Sequence, residues 1–272
     1  MKIREIAFPS DTRHRNYPVH FLYVRKTIEQ AGIRLRTDYS LRPIGGAAFP
    51  IRINGREAIV DFSDFPHLLP NVKDYAICLK FHYSEGWHEG HTKVVPFGPV
   101  SFYDWNDFKG LGRHINYHAK GNRVLHNQRA YAAARERRRN VQIMLRKRYG
   151  AQLDGRITPQ HAFWRKINNC LVSVCVPGAR NDMLDRGQFQ YMGLGCCTIS
   201  PPLRTVLPQY QKLLPGVHYV ACAPDYSDLI ERVEWCRAHR QECREIGANA
   251  RKLFLSVATP ETLWSWISTL YA

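Results

Sequence analysis

An α/β fold built on a parallel sheet is what this sequence predicts, on three observations. Residues 158–200 read helix, strand, loop, helix, strand, and residues 2–39 read strand, helix, strand. Hydrophobic residues make up 44% of the 272 positions, enough for a real core. That length admits two small α/β domains or one large one.

The elements follow in order. Lys2 to Phe8 reads as a first strand, and Tyr17 to Ala31 as a helix carrying Phe21, Val24 and Ile28 on one face, ended by Gly32. Ile33 to Tyr39 is the next strand, and residues 51–62 form a hairpin around Asn54-Gly55. Tyr75 to Tyr83 and Lys93 to Phe102 complete the strands of the first half. Leu111 to Lys120 carries a strand that ends at Gly121, and Asn127 to Tyr149 is a long helix. Thr158 caps a helix that Pro159 begins. The apolar run Leu171 to Val176 is a buried strand stopped by Pro177-Gly178. Arg186 to Leu194 is a helix, and Cys197 to Ser200 a strand. His218 to Ala223 is the last strand; helices follow it after an Asp225 or Ser227 cap, over Glu242 to Leu255 and from Pro260 to the end.

Ligands of a parallel sheet sit at the carboxyl ends of its strands. The loop after Val176 reaches a helix N-terminus, where free N–H groups and the dipole favour an anion. Arg180 and Arg186 flank it and can grip phosphate bidentately, while Gln190 lies one turn beyond Arg186. Gly178 ends the strand, and Gly193 and Gly195 let backbone approach closely. Together these parts can hold a nucleoside diphosphate.

The run P-G-x-R-N-D-x(3)-R-x(3)-Q-Y-M-G-L-G-C-C-T-I resembles the donor-binding segment of GT-B glycosyltransferases. Residues 213–254 are similar to the C-terminal region of the capsule-associated and protein O-glucosyltransferase family, through Pro215, His218, Tyr219, Asp225, Asp228, Trp235, Asn249 and Arg251. The resemblance covers roughly the last half of the chain. It implies two Rossmann-like domains: an acceptor-side domain over 1–112, a nucleotide-sugar domain over 113–258, and a terminal helix over 259–272 that returns to the first domain. It implies a UDP-hexose as co-substrate and no required cofactor. Arg180, Arg186 and Gly178 would hold the diphosphate, with Gly121 close to the donor. The family's ribose-binding Glu stands here as Gln190, which keeps a hydrogen bond but no charge.

An inverting transferase needs a base near the acceptor hydroxyl. Asp64, Glu85 and Asp11 are the candidates, each on a loop of the first half. His82, His88 and His91 match no standard metal spacing, and no metal is expected. The eight cysteines form no CxxC pair and read as reduced, structural thiols.

The net charge is +16, from 39 Lys and Arg against 23 Asp and Glu. Either a polyanionic partner or a solvated basic surface accounts for it. Arg135, Arg138, Arg139, Arg146 and Arg148 crowd the exposed side of the long helix as candidate phosphate contacts. Double-stranded DNA is one such partner, and hydroxymethylated DNA bases are then one acceptor; protein or glycan hydroxyls are the other. A third reading is a non-catalytic nucleic-acid-binding protein on a degenerate transferase fold. No apolar run approaches the ~20 residues of a membrane span, and no signal peptide is evident at the N-terminus, so a cytoplasmic location is expected.

Overall fold

The computed structural model describes residues 2–10, 18–42, 44, 47–63, 67–69, 71–98 and 105–271. They form two compact units, one of Met1–Tyr103, Thr205–Lys212 and Ser256–Ala272, the other of Asp104–Arg204 and Leu213–Leu255.

The chain begins in the first unit with β1 (Glu5–Pro9), α1 (Pro18–Gln30), β2 (Arg34–Asp38), β3 (Ala48–Ile53), β4 (Arg56–Asp61), β5 (Cys78–Lys80) and β6 (Val94–Pro96). The second unit opens with α2 (Trp105–Gly112), β7 (Gly121–Leu125), α3 (Arg135–Tyr149), β8 (Leu153–Asp154), α4 (Gln160–Asn169), β9 (Cys170–Val174), α5 (Arg186–Gly193) and β10 (Cys197–Ser200). The short strands β11 (Val206–Leu207) and β12 (Gln211–Lys212) belong to the first unit. Then β13 (Val220–Ala221), α6 (Leu229–Ala238) and most of α7 (Arg240–Val257) complete the second, and α8 (Pro260–Leu270) is part of the first.

In the first unit the sheet runs β2-β1-β3-β4-β5-β6. It is mixed: β1–β2, β4–β5 and β5–β6 pair parallel, while the β3–β4 hairpin is antiparallel and β3 also meets β1 antiparallel. The Asn54-Gly55 turn that closes the hairpin has φ of 48° and 84°, the left-handed pair that an Asn-Gly turn supplies without strain. Phe21, Val24 and Ile28 of α1 are fully buried beside Phe49, Ile51 and Val60. In the same core, Leu263, Trp264 and Ile267 of α8 are buried, and Trp264 Nε1 donates to Thr27 Oγ1 at 3.2 Å. Thr259 caps α8 by accepting from Thr262 N.

The sheet of the second unit runs β13-β10-β9-β7-β8 and every pairing is parallel. Counted within the unit, that order is 2-1-3-4-5, and the direction of winding reverses between β7 and β9. Val172, Val174, Ile199, Leu229, Val233 and Ile246 are buried in its core.

Three local expectations are corrected. Residues 105–112 are helical, because Trp105 and Phe108 fall one turn apart and stack at 6.1 Å, so the strand begins at Gly121 instead of ending there. The long helix starts at Arg135, not Asn127, because the preceding segment leaves helical geometry to carry Gln128 onto β9's exit. Pro159, not Thr158, is the cap residue of α4, with no side-chain capping bond. The division into compact units places α2 in the second unit and residues 205–212 in the first. No described helix is long and apolar enough to cross a membrane.

Candidate functional site

The switch point of the second sheet lies at the carboxyl ends of β7 and β9. Its groundwork is a set of buried polar contacts. As β9 ends, Val176 N donates to Gln128 Oε1 at 2.6 Å, and Gln128 Nε2 returns to Val176 O at 3.1 Å. Arg138 reaches the same carbonyl through Nε at 3.2 Å and Nη2 at 3.1 Å. His126, which follows β7, is 1% exposed and holds its Nδ1 3.1 Å from Val174 O. Burial pushes the imidazole's pKa down, so the ring is kept neutral and Nδ1–H is the donor to that carbonyl.

Asp185 joins this groundwork to α5. It caps the helix by accepting from Gly187 N at 2.8 Å, and it also accepts from Gln128 at 3.0 Å and Arg138 at 2.7 Å. The helix N-terminus therefore differs from the expectation of open N–H groups, since a carboxylate already occupies part of it. Arg138 balances that carboxylate, so the end of α5 is not left anionic.

Several arginines gather around the 177–186 loop. Arg180 makes a two-pronged pair with Asp182, at 3.0 and 2.8 Å, and Arg204 lies 3.8 Å from the same carboxylate. Arg137 donates to Gly178 O and to Ala179 O. Arg186 opens α5 and is half-buried. Arg137, Arg138, Arg180, Arg186 and Arg204 thus gather around the loop, with Asp182 and Asp185 paired to three of them. Asn181 is held by Tyr226 and by Pro224 O, each at 2.7 Å, which ties the loop to the segment after β13.

The predicted site residues are thus partly brought together. Arg180, Arg186 and Gly178 share this loop. Gly121 does not: it starts β7, at the opposite edge of the sheet, because the strand is displaced along the sequence. Gln190 is 8% exposed and its Oε1 accepts from Trp164 Nε1 at 2.6 Å, so it ties α4 to α5. Of the helical arginines, Arg138 is 3% exposed inside the groundwork and Arg148 pairs with Glu234, while Arg135, Arg139 and Arg146 are exposed on α3. Glu85 is exposed and ion-paired with Lys212. Asp11 and Asp64 lie outside the described residues. His88 is buried and accepts from Ser84 N. Sequence reasoning missed His126, Gln128, Arg137 and Asp185; only Asp185, directly before a helix start, carried a local signal.

Comparisons with known proteins add the following. No family model matches the chain. It is 31% identical over 88 residues to uncharacterized protein 179R of Invertebrate iridescent virus 6, and 44% identical over 55 residues to uncharacterized protein 035R of Invertebrate iridescent virus 3. Those stretches cover 29% and 20% of this chain, and only 7% and 5% of the viral proteins' lengths. Among solved structures, a sucrose-phosphate synthase from Thermosynechococcus elongatus aligns over 54% of this chain and 37% of its own, at 15% identity and a TM-score of 0.41. Anabaena HepE in complex with UDP and glucose aligns over 72% of this chain and 63% of its own, at 11% identity and a TM-score of 0.47.

Proposed function

We propose that this chain is a glycosyltransferase that takes a sugar from a nucleotide donor, a UDP-hexose, and passes it to a hydroxyl acceptor. The observation that carries this reading is the gathering of arginines around the 177–186 loop, at the switch-point edge of a wholly parallel sheet. In glycosyl transfer the bond from the sugar's anomeric carbon to the diphosphate breaks, and negative charge grows on the departing nucleotide. Arginines already in place stabilise that charge without reorganising during the reaction. Arg186 and Arg180 would contact the diphosphate, and Arg138 with Asp185 would hold the loop and α5 in register. Arginines in this number can carry the electrostatic load without a metal ion.

A DNA acceptor does not go forward in this reading. Arg138 is buried and Arg148 is paired, so two of the five candidate phosphate contacts on α3 are engaged within the chain. Part of the chain's positive charge is also engaged internally, since Arg240, Arg244 and Arg251 donate to the carbonyls of Lys120, Tyr117, Gly193 and Gly112.

The test is a thermal-shift panel of nucleoside diphosphates and nucleotide sugars. A ligand that binds only the folded chain raises its apparent stability, by about 2.7 kcal/mol at a hundredfold excess over Kd. One nucleotide class raising the midpoint, with UDP released from its sugar on adding a hydroxyl acceptor, is the expected result. No shift from any diphosphate would rule the reading out.

A further inference from the structure

Three thiols from three separate elements meet in the core of the second unit. Cys197 opens β10, Cys236 lies on α6 and Cys243 on α7. Their sulfur atoms all lie within 4.8 Å of one another, and all three residues are fully buried. The approach is set by the backbone: a Cβ on Gly247, one turn beyond Cys243, would sit 2.5 Å from Gly195 O, so α7 lies directly on the chain entering β10. We infer that Cys197, Cys236 and Cys243 form a three-sulfur binding site for a soft, thiophilic d10 metal ion.

Three sulfurs at this spacing fit around one soft cation, and thiolate is the ligand such ions select. Among the described residues no His, Asp or Glu joins the group, which makes the donor set sulfur alone. Cys243 Sγ also donates to Cys236 O at 3.4 Å, which holds α6 and α7 together beside the cluster. Binding converts the thiols to thiolates and releases their protons to solvent. The bound ion would join β10, α6 and α7 at one point.

The test uses the full chain, reduced, with Cd(II) as the probe, followed by removal of free metal. The expected result is one ion per chain, a thiolate-to-metal absorption band, proton release on binding and a raised thermal midpoint. The band should vanish in Cys197→Ser and Cys243→Ser and persist in Cys170→Ser. X-ray absorption on the wild-type chain gives a second readout that needs no variant to fold, and three sulfur neighbours are expected. No retained ion in the wild-type chain, a band that survives both cluster variants, or a first shell containing nitrogen or oxygen would overturn the assignment.

Discussion

The two edges of the second unit's sheet are both basic, and in the proposed reading one of them meets an anion. At the amino edge Lys120 is 1% exposed and its ammonium donates to the carbonyls of Ile167, Asn168, Cys170 and Leu194, at 3.2, 2.9, 3.4 and 3.0 Å. Two of those carbonyls belong to the last turn of α4, and Leu194 O follows the end of α5, where the dipoles point negative. Arg240, Arg244 and Arg251 are likewise engaged on carbonyls there. At the carboxyl edge Arg180 pairs with Asp182 and Arg138 with Asp185, and Arg186 is half-buried at the start of α5. In the proposed reading, positive charge closes one edge and serves the donor at the other.

The largest effect should come from breaking the closed edge. Lys120→Met strands several buried carbonyls, each costing about 1–3 kcal/mol, so chemical denaturation should show the unit losing most of its stability. Gly247→Ala comes next. The added methyl meets the Gly195 backbone, and overpacking of this kind costs about 1–3 kcal/mol, read as a lower thermal midpoint. Asp185→Ala should cost about 1–2 kcal/mol for the lost cap and more for the buried Arg138 left unpaired, and it should also weaken nucleotide binding, which the first two variants leave intact in whatever fraction stays folded.

A smaller effect is one of pH. Burial lowers the His126 pKa below its ordinary 6.5. Below that value the unfolded chain takes up a proton that the folded chain refuses, so stability falls as pH drops from 6.5 towards the folded pKa and is flat above. His126→Asn keeps a donor for Val174 O and should flatten the slope of melting temperature against pH over that window. An unchanged slope would remove His126 from the account.

Much of the second sheet was legible because its strands are short apolar runs with sharp ends. Leu171 to Val176 stops at Pro177-Gly178 and Cys197 to Ser200 at Pro201-Pro202, and both appear within a residue or two of where the pattern puts them. The Asn54-Gly55 hairpin was readable for a similar reason, since its chemistry is local. What could not be read was which basic side chains face inward. Arg138 and Arg139 are neighbours in sequence, yet one is buried against Val176 O and the other exposed, a difference set by the distant β9 exit. Gly121 opens β7 instead of following a strand, which puts it at the amino edge, because no local signal marks where the strand begins. The thiol cluster draws on three elements, and no spacing within one segment announces it.

The most direct measurement is a calorimetric titration of UDP into the wild-type chain, Arg186→Ala and Arg240→Ala. Arg186 is placed at the carboxyl edge and Arg240 at the amino edge, on Lys120 O. Loss of one charge-assisted hydrogen bond, about 1.5–3 kcal/mol, corresponds to roughly a 10- to 100-fold weaker Kd. The account predicts that loss in Arg186→Ala and wild-type affinity in Arg240→Ala. Equal affinity in all three, or a loss confined to Arg240→Ala, would contradict it.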